Sequence, residues 1–243
     1  MFPIRDHNPS ERTPFVTWAL IALNVAIFAL TWPMFSDPVA LERLYYTWGL
    51  VPRESEPTTF LTSMFLHGGV MHLLGNMLFL WIFGDNLEEE LGHLGFLAFY
   101  LAGGLAAAWL QVVADPRSTI PLVGASGAIA GVMGGYLLLF PRARVDVLLF
   151  FIIIIRIIPV PAWVMLGLWF GLQLFGGYSA NSQTGGVAYW AHAGGFVAGF
   201  LLIVPLWLRR GGPAFWTRTD GHPPHPAARY RFQQTGVPGV RRK

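Results

Sequence analysis

Apolar residues in this chain gather into long blocks. They do not form the one-sided stripe of a surface helix or the strict alternation of a half-buried strand. Six blocks stand out, at residues 14–32, 70–87, 94–113, 124–140, 161–175 and 189–208. A helix that crosses a bilayer needs about 20 mostly apolar residues, within a range of roughly 17 to 25; the fourth and fifth blocks are short by that measure. The pattern predicts an all-α integral membrane protein, a six-transmembrane-helix bundle over residues 14–208. A polar cytoplasmic tail (1–13) precedes the bundle, and a basic Pro/Gly-rich cytoplasmic tail (209–243) follows it and reads as disordered. The stretch 33–62 becomes an extracytoplasmic loop after the first helix. No small-residue cleavage site follows the first block, which therefore reads as a retained anchor.

One segment breaks the pattern. Residues 145–158, VDVLLFFIIIIRII, are apolar and β-branched but too short to span, and they contain Arg156. A seventh crossing would move the basic C-terminal tail to the other side of the membrane. An interfacial or re-entrant element covered by the bundle is expected instead, because exposed irregular backbone is not tolerated in hydrocarbon.

Composition agrees with the bilayer. Apolar residues make up 54% of the 243 and charged residues 12%, against about 25% charged in soluble domains. Cysteine is absent, which excludes disulfide and thiol chemistry. The net charge of +3 points to membrane orientation, not to nucleic acid. Lys and Arg concentrate in the N-terminal tail, in the loop after the fourth block and in the C-terminal tail, whereas Arg43, Arg53 and Arg117 lie on the opposite side. Basic residues favour the cytoplasm, so both termini are expected there, in a multi-pass protein of the cell membrane. An even number of spans satisfies this.

Polar groups inside such spans are functional candidates by default. Ser126 is the one hydroxyl in Val123-Gly124-Ala125-Ser126-Gly127-Ala128, and His192 the one imidazole in Trp190-Ala191-His192-Ala193-Gly194-Gly195. Hydroxyl and imidazole are the minimal pair for nucleophilic catalysis. With six spans, the second, fourth and sixth run in the same direction, which places His72, Ser126 and His192 at similar depth near the external face. His72 and Asn76 are four apart and share a helix face. With the backbone N–H of Ser126, both could donate to a developing oxyanion. His67 precedes that helix and could cap or line the site. Gly127 with Gly131, and Gly195 with Gly199, are small-xxx-small pairs that let helices four and six approach closely, as a serine–imidazole hydrogen bond requires.

Each signal has a plainer counterpart. A membrane serine can back-bond to its own helix, Asn76 can join helices, glycine pairs can simply pack, and Asp85 with Glu88, Glu89 and Glu90 reads as a solvated turn. The joint occurrence decides. Gly124-Ala125-Ser126-Gly127, His72 with Asn76, and Ala191-His192 followed by Gly195 and Gly199 resemble the rhomboid intramembrane serine proteases of the bacterial type, over about residues 14–208. The resemblance implies Ser126 as nucleophile, His192 as base of a dyad without a carboxylate, His72 and Asn76 at the oxyanion hole, and cleavage of single-span membrane proteins near the outer face. It implies no cofactor and no metal. Two positions depart from some family members: Thr58-Thr59 replaces Trp-Arg in the first loop, and Ala130 replaces a tyrosine stacked on the catalytic imidazole. A non-proteolytic rhomboid-like chaperone or binder would share the fold but would be expected to lack Ser or His. A small transporter would show paired internal repeats, and none is seen.

Overall fold

The computed structural model describes residues 2–151, 154–179, 186–224, 226 and 228. Helices dominate. After strand β1 (Phe2–Asp6) come α1 (Phe15–Thr31), α2 (Pro38–Trp48), the short α3 (Thr59–Thr62), α4 (Val70–Leu91), α5 (His93–Ala114) and α6 (Ser126–Leu139). Strands β2 (Arg144–Phe151) and β3 (Ile154–Pro161) follow, then α7 (Ala162–Ser179), α8 (Tyr189–Arg209) and α9 (Pro213–Thr219). Among the described residues, four segments are long and apolar enough to cross a membrane: Phe15–Ser36, Val70–Leu91, His93–Ala114 and Tyr189–Arg209. The six apolar blocks coincide with α1, α4, α5, α6, α7 and α8 to within a few residues.

Helix α6 is the centre of the bundle. Its 14 residues rise about 21 Å, less than the roughly 30 Å of a hydrocarbon core, and almost every one is buried. Glycine makes that possible. A Cβ on Gly195 would fall on the Gly127 carbonyl, one on Gly199 on Gly131, and one on Gly134 on the Phe196 carbonyl. The backbones of α6 and α8 are therefore in direct contact, and Gly103 of α5 closes on Gly131 from the other side. Longer neighbours around a short central helix leave a recess at the Ser126 end.

Three features correct the reading of the sequence. The protein is not all-α, because residues 145–151 and 154–158 form most of two paired antiparallel strands and β1 joins them in a three-stranded sheet ordered β1-β2-β3. Val145 pairs with Val160, Val147 with Ile158, and Asp6 with Val145. β-branched side chains suit a pleated surface, and Val145 and Val147 turn into the core. The polar N-terminal tail is likewise held: Asp6 and Asn8 are buried, and Arg5 and His7 both bond Asp146 at 2.7 Å. Burial pushes the Asp146 carboxyl up, but the bonds from His7 and Arg5 outweigh it and leave it below its ordinary value. The tail 209–243, read as disordered, carries α9, whose Phe215 is buried and whose Trp216 indole donates to the Leu138 carbonyl at 2.9 Å. Arg229, Arg231, Arg241, Arg242 and Lys243 lie outside the described residues.

The acidic run at the end of α4 is not a solvated turn either. Glu88 is buried and accepts from the backbone N–H of Val16 and Thr17, from the Thr17 hydroxyl and from His93. Pro14, at the start of α1, offers no side-chain cap. Glu88 satisfies those orphan N–H groups from another helix. Glu90 pairs with Arg210 at 2.7 Å.

The long loop between α1 and α4 is ordered by backbone bonds. Leu50 and Leu122 exchange both of theirs, Arg53 N–H donates to Ser118, and Gly124 N–H donates to Ser63. These contacts place the strand-like approach to α6, and with it the residue that opens that helix.

Candidate active site

Ser126 is the first residue of α6, where no preceding helical turn supplies a carbonyl to its N–H. Gly124 sets the approach. Its φ of +129° lies in the region that disfavours any side chain, and a Cβ there would come within 2.8 Å of the His72 ring. Backbone conformation and space therefore both demand glycine beside the imidazole.

His192 lies in the first turn of α8 and reaches across the glycine contact. Its Nε2 is 2.8 Å from Ser126 Oγ. On its other side Nδ1 is 2.9 Å from Oε1 of Gln173, and the Gln173 amide nitrogen donates to the Trp169 carbonyl at 3.2 Å. The Trp169 ring lies 5.8 Å from the His192 ring, tilted by 33°. Support for the ring thus comes from α7.

His72 faces the same place from α4. Gly68 N–H donates to its Nδ1 at 3.2 Å, so the ring proton resides on Nε2, the nitrogen beside Gly124. Asn76, one turn on, is buried, and its amide nitrogen has no hydrogen-bond partner among the described residues. Leaving a buried donor unmade costs about 1–3 kcal/mol. Asn76 lines the cavity, and a small rotation of its amide would offer this donor to an oxyanion there. His67 is buried against His72, edge to face, with centroids 5.2 Å apart. Burial, and then the neighbouring His72, lowers its pKa to about 4, so the ring stays neutral. It supports His72 and does not line the cavity.

These groups open into a cavity of about 1120 Å³ whose lining includes His72, Asn76, Ser126, Trp169, Trp190 and His192. The structure thus brings Ser126, His192, His72 and Asn76 together, with Gly124 at their centre and Gly127, Gly131, Gly195 and Gly199 making the helix contact. Gln173, Trp169 and Gln111 were not singled out from sequence. Gln111 accepts the Ala191 N–H at 3.1 Å, satisfying an orphan donor next to His192. Gln173 carried a usable signal: it is an amide in the middle of an apolar helix, the same criterion that selected Ser126. The arrangement provides a hydroxyl, a base against it, and convergent neutral donors, which are the parts of an acyl-transfer site.

Known proteins match this chain over the same region. The family model for the rhomboid domain matches residues 54–209. Rhomboid protein 1, mitochondrial, of Saccharomyces cerevisiae is 32% identical over 198 residues, covering 76% of this chain and 51% of its own length. Rhomboid-like protein 11, chloroplastic, of Arabidopsis thaliana is 33% identical over 202 residues, covering 82% of this chain and 67% of its own. Rhomboid-related protein 2 of Mus musculus is 38% identical over 84 residues, covering 35% and 27%. The chain spans about half the length of the curated relatives it matches.

Proposed function

The chain belongs to the rhomboid family, and on that premise we propose that it is an intramembrane serine endopeptidase working through a Ser126–His192 dyad. One observation carries the reading: Ser126 Oγ lies 2.8 Å from His192 Nε2 at the floor of a cavity. As Oγ adds to a peptide carbonyl, its proton passes to Nε2. The resulting oxyanion accepts from the Ser126 N–H, His72 Nε2–H and the Asn76 amide. Collapse of this intermediate expels the amine, which leaves with the proton from Nε2. Water then repeats the sequence on the acyl-serine and frees the second product.

The protein is a multi-pass membrane protein, and its proposed substrates are single-span membrane proteins cleaved near the extracytoplasmic face. A peptide bond inside an intact helix is shielded by its own hydrogen bonds, so spans weakened by glycine or proline near that face should be preferred. Six crossings with both termini in the cytoplasm follow from the distribution of Lys and Arg. Labelling of single introduced cysteines tests this cleanly in a chain with none of its own; external labelling near Gly221 would overturn it.

The decisive experiment incubates the purified protein with labelled membrane segments, beside its Ser126→Ala form. Cleavage by the wild type alone supports the reading. Equal cleavage by both forms sinks it, and binding without cleavage by either would favour a chaperone role.

A further inference from the structure

A neutral imidazole can serve as a base toward Ser126 only if Nε2 carries the lone pair and Nδ1 the proton. Nothing on α6 or α8 enforces that choice. Ser126 and, from α4, His72 are the titratable groups that face the ring across the cavity, and a hydroxyl accepts or donates with equal ease. The choice is made from α7. Gln173 is buried, and its two amide ends are assigned by different partners. The amide nitrogen has the Trp169 carbonyl to donate to, which leaves Oε1, an acceptor only, at 2.9 Å from His192 Nδ1. An acceptor there requires Nδ1 to carry the proton.

We infer that Gln173 is a positioning residue that holds His192 in its Nδ1–H form, with Trp169 on the same helix face bracing the ring. The inference rests on the proposed dyad. Trp169 and Gln173 are four apart and therefore adjacent on α7. The Trp169 carbonyl orients the amide, while its ring lies within the roughly 6 Å at which an aromatic face attracts a cation. When His192 takes the Ser126 proton, Nδ1–H still donates to Oε1 and the new charge sits beside the indole. A neutral amide thus takes the orienting place that a carboxylate holds in soluble serine hydrolases, without adding a negative charge to the bundle.

The test uses the full chain in detergent with ¹⁵N-labelled histidine. At neutral pH, wild-type His192 should show a protonated Nδ1 and an unprotonated Nε2. In Gln173→Leu the two tautomers should mix, and kcat should fall about 10- to 100-fold with KM little changed. That is milder than the roughly 10⁴-fold loss when a wrong tautomer is locked in place. Gln173→Glu should restore the single tautomer and move the acid limb of the pH–rate profile upward, because a carboxylate favours the imidazolium. An unchanged tautomer and kcat in Gln173→Leu would overturn the inference. So would equal losses in the Leu and Glu variants with neither tautomer nor acid limb altered, which would mark Gln173 as packing only. If wild type and Ser126→Ala are equally inactive, the protease reading fails, while the tautomer spectra still decide the role of Gln173.

Discussion

The two ends of α6 use polar residues in opposite ways. At the Leu139 end most polar groups are tied to one another, although Asn86 Oδ1 and the Trp207 indole nitrogen are buried without a partner among the described residues. Tyr136 donates to Asp6, Asn8 donates to Tyr136, and Asn86 donates to the Asn8 carbonyl. Asp146 is held by Arg5 and His7, and Glu88 by α1 and His93. At the Ser126 end, by contrast, Asn76 lines the cavity with its amide nitrogen unpaired among the described residues, and His72 aims Nε2 at Gly124. A satisfied network contributes to stability and specificity. A donor left open costs stability and is of use only when something else arrives to accept from it. The same bundle therefore keeps its structural polar groups at one end and its chemical ones at the other.

If that division holds, substitutions at the Ser126 end should remove activity and spare folding. Ser126→Ala should lower turnover by about 10⁴ to 10⁶, with a thermal midpoint close to wild type. His192→Ala should match it, and the double variant should be no worse than either. Additive losses would show that the two side chains do not act as a unit.

Gly195→Leu tests the contact that joins the two ends. Its Cβ would meet the Gly127 carbonyl, which cannot move without displacing Ser126. Overpacking typically costs about 1–3 kcal/mol and occasionally more, and here stability and cleavage should fall together. A stable, active Gly195→Leu protein would mean that α6 and α8 can separate without harm.

Asn76→Ala should give a smaller effect of the opposite character. A single oxyanion donor is worth about 10² to 10³ in soluble hydrolases, and His72 with the Ser126 amide should compensate in part. Turnover should drop more than substrate affinity, and stability should hold or rise as an unmade buried donor is removed. A change in thermal midpoint alone would make Asn76 a residue that joins helices.

At the other end, the smallest effect on turnover is expected. Tyr136→Phe strands Asn8 and Asp6 and should cost about 1–3 kcal/mol of stability, with kcat of the folded protein unchanged. Burial, opposed by bonds from Tyr136 and Asn8, raises the Asp6 pKa from 3.8 to about 6. The folded chain therefore keeps this proton in a range where the unfolded chain has released it. Folding takes up a proton between those values, so this contribution to stability falls as pH rises from about 4 to 6. Melting curves across that range should show the slope, and Asp6→Asn should reduce it while raising stability at neutral pH. A slope unchanged in Asp6→Asn would assign it to another group. Asp146, with its lowered pKa, acts in the opposite sense: its contribution is present above its ordinary range and lost as the pH falls further.

Much of this was legible in the order of residues, for reasons that are local. Membrane spans need long apolar runs, so the six blocks mark the helices to within a few positions. A hydroxyl and an imidazole placed in runs of small residues announce both their chemistry and the close approach that chemistry needs, which is why Ser126, His192 and the four packing glycines could be named from sequence. Only the tertiary structure could pair residues 2–6 with a hairpin some 140 positions away, because a β-branched run does not specify which strand completes its ladder. Glu88 is the same case, since an acidic residue at a helix end looks solvated until another helix presents its unpaired N–H groups. Gln173 is the sharpest instance. Its side chain is an ordinary amide in an apolar helix, and its place against His192 depends on how α7 leans on α8, a matter of packing that no span of sequence contains.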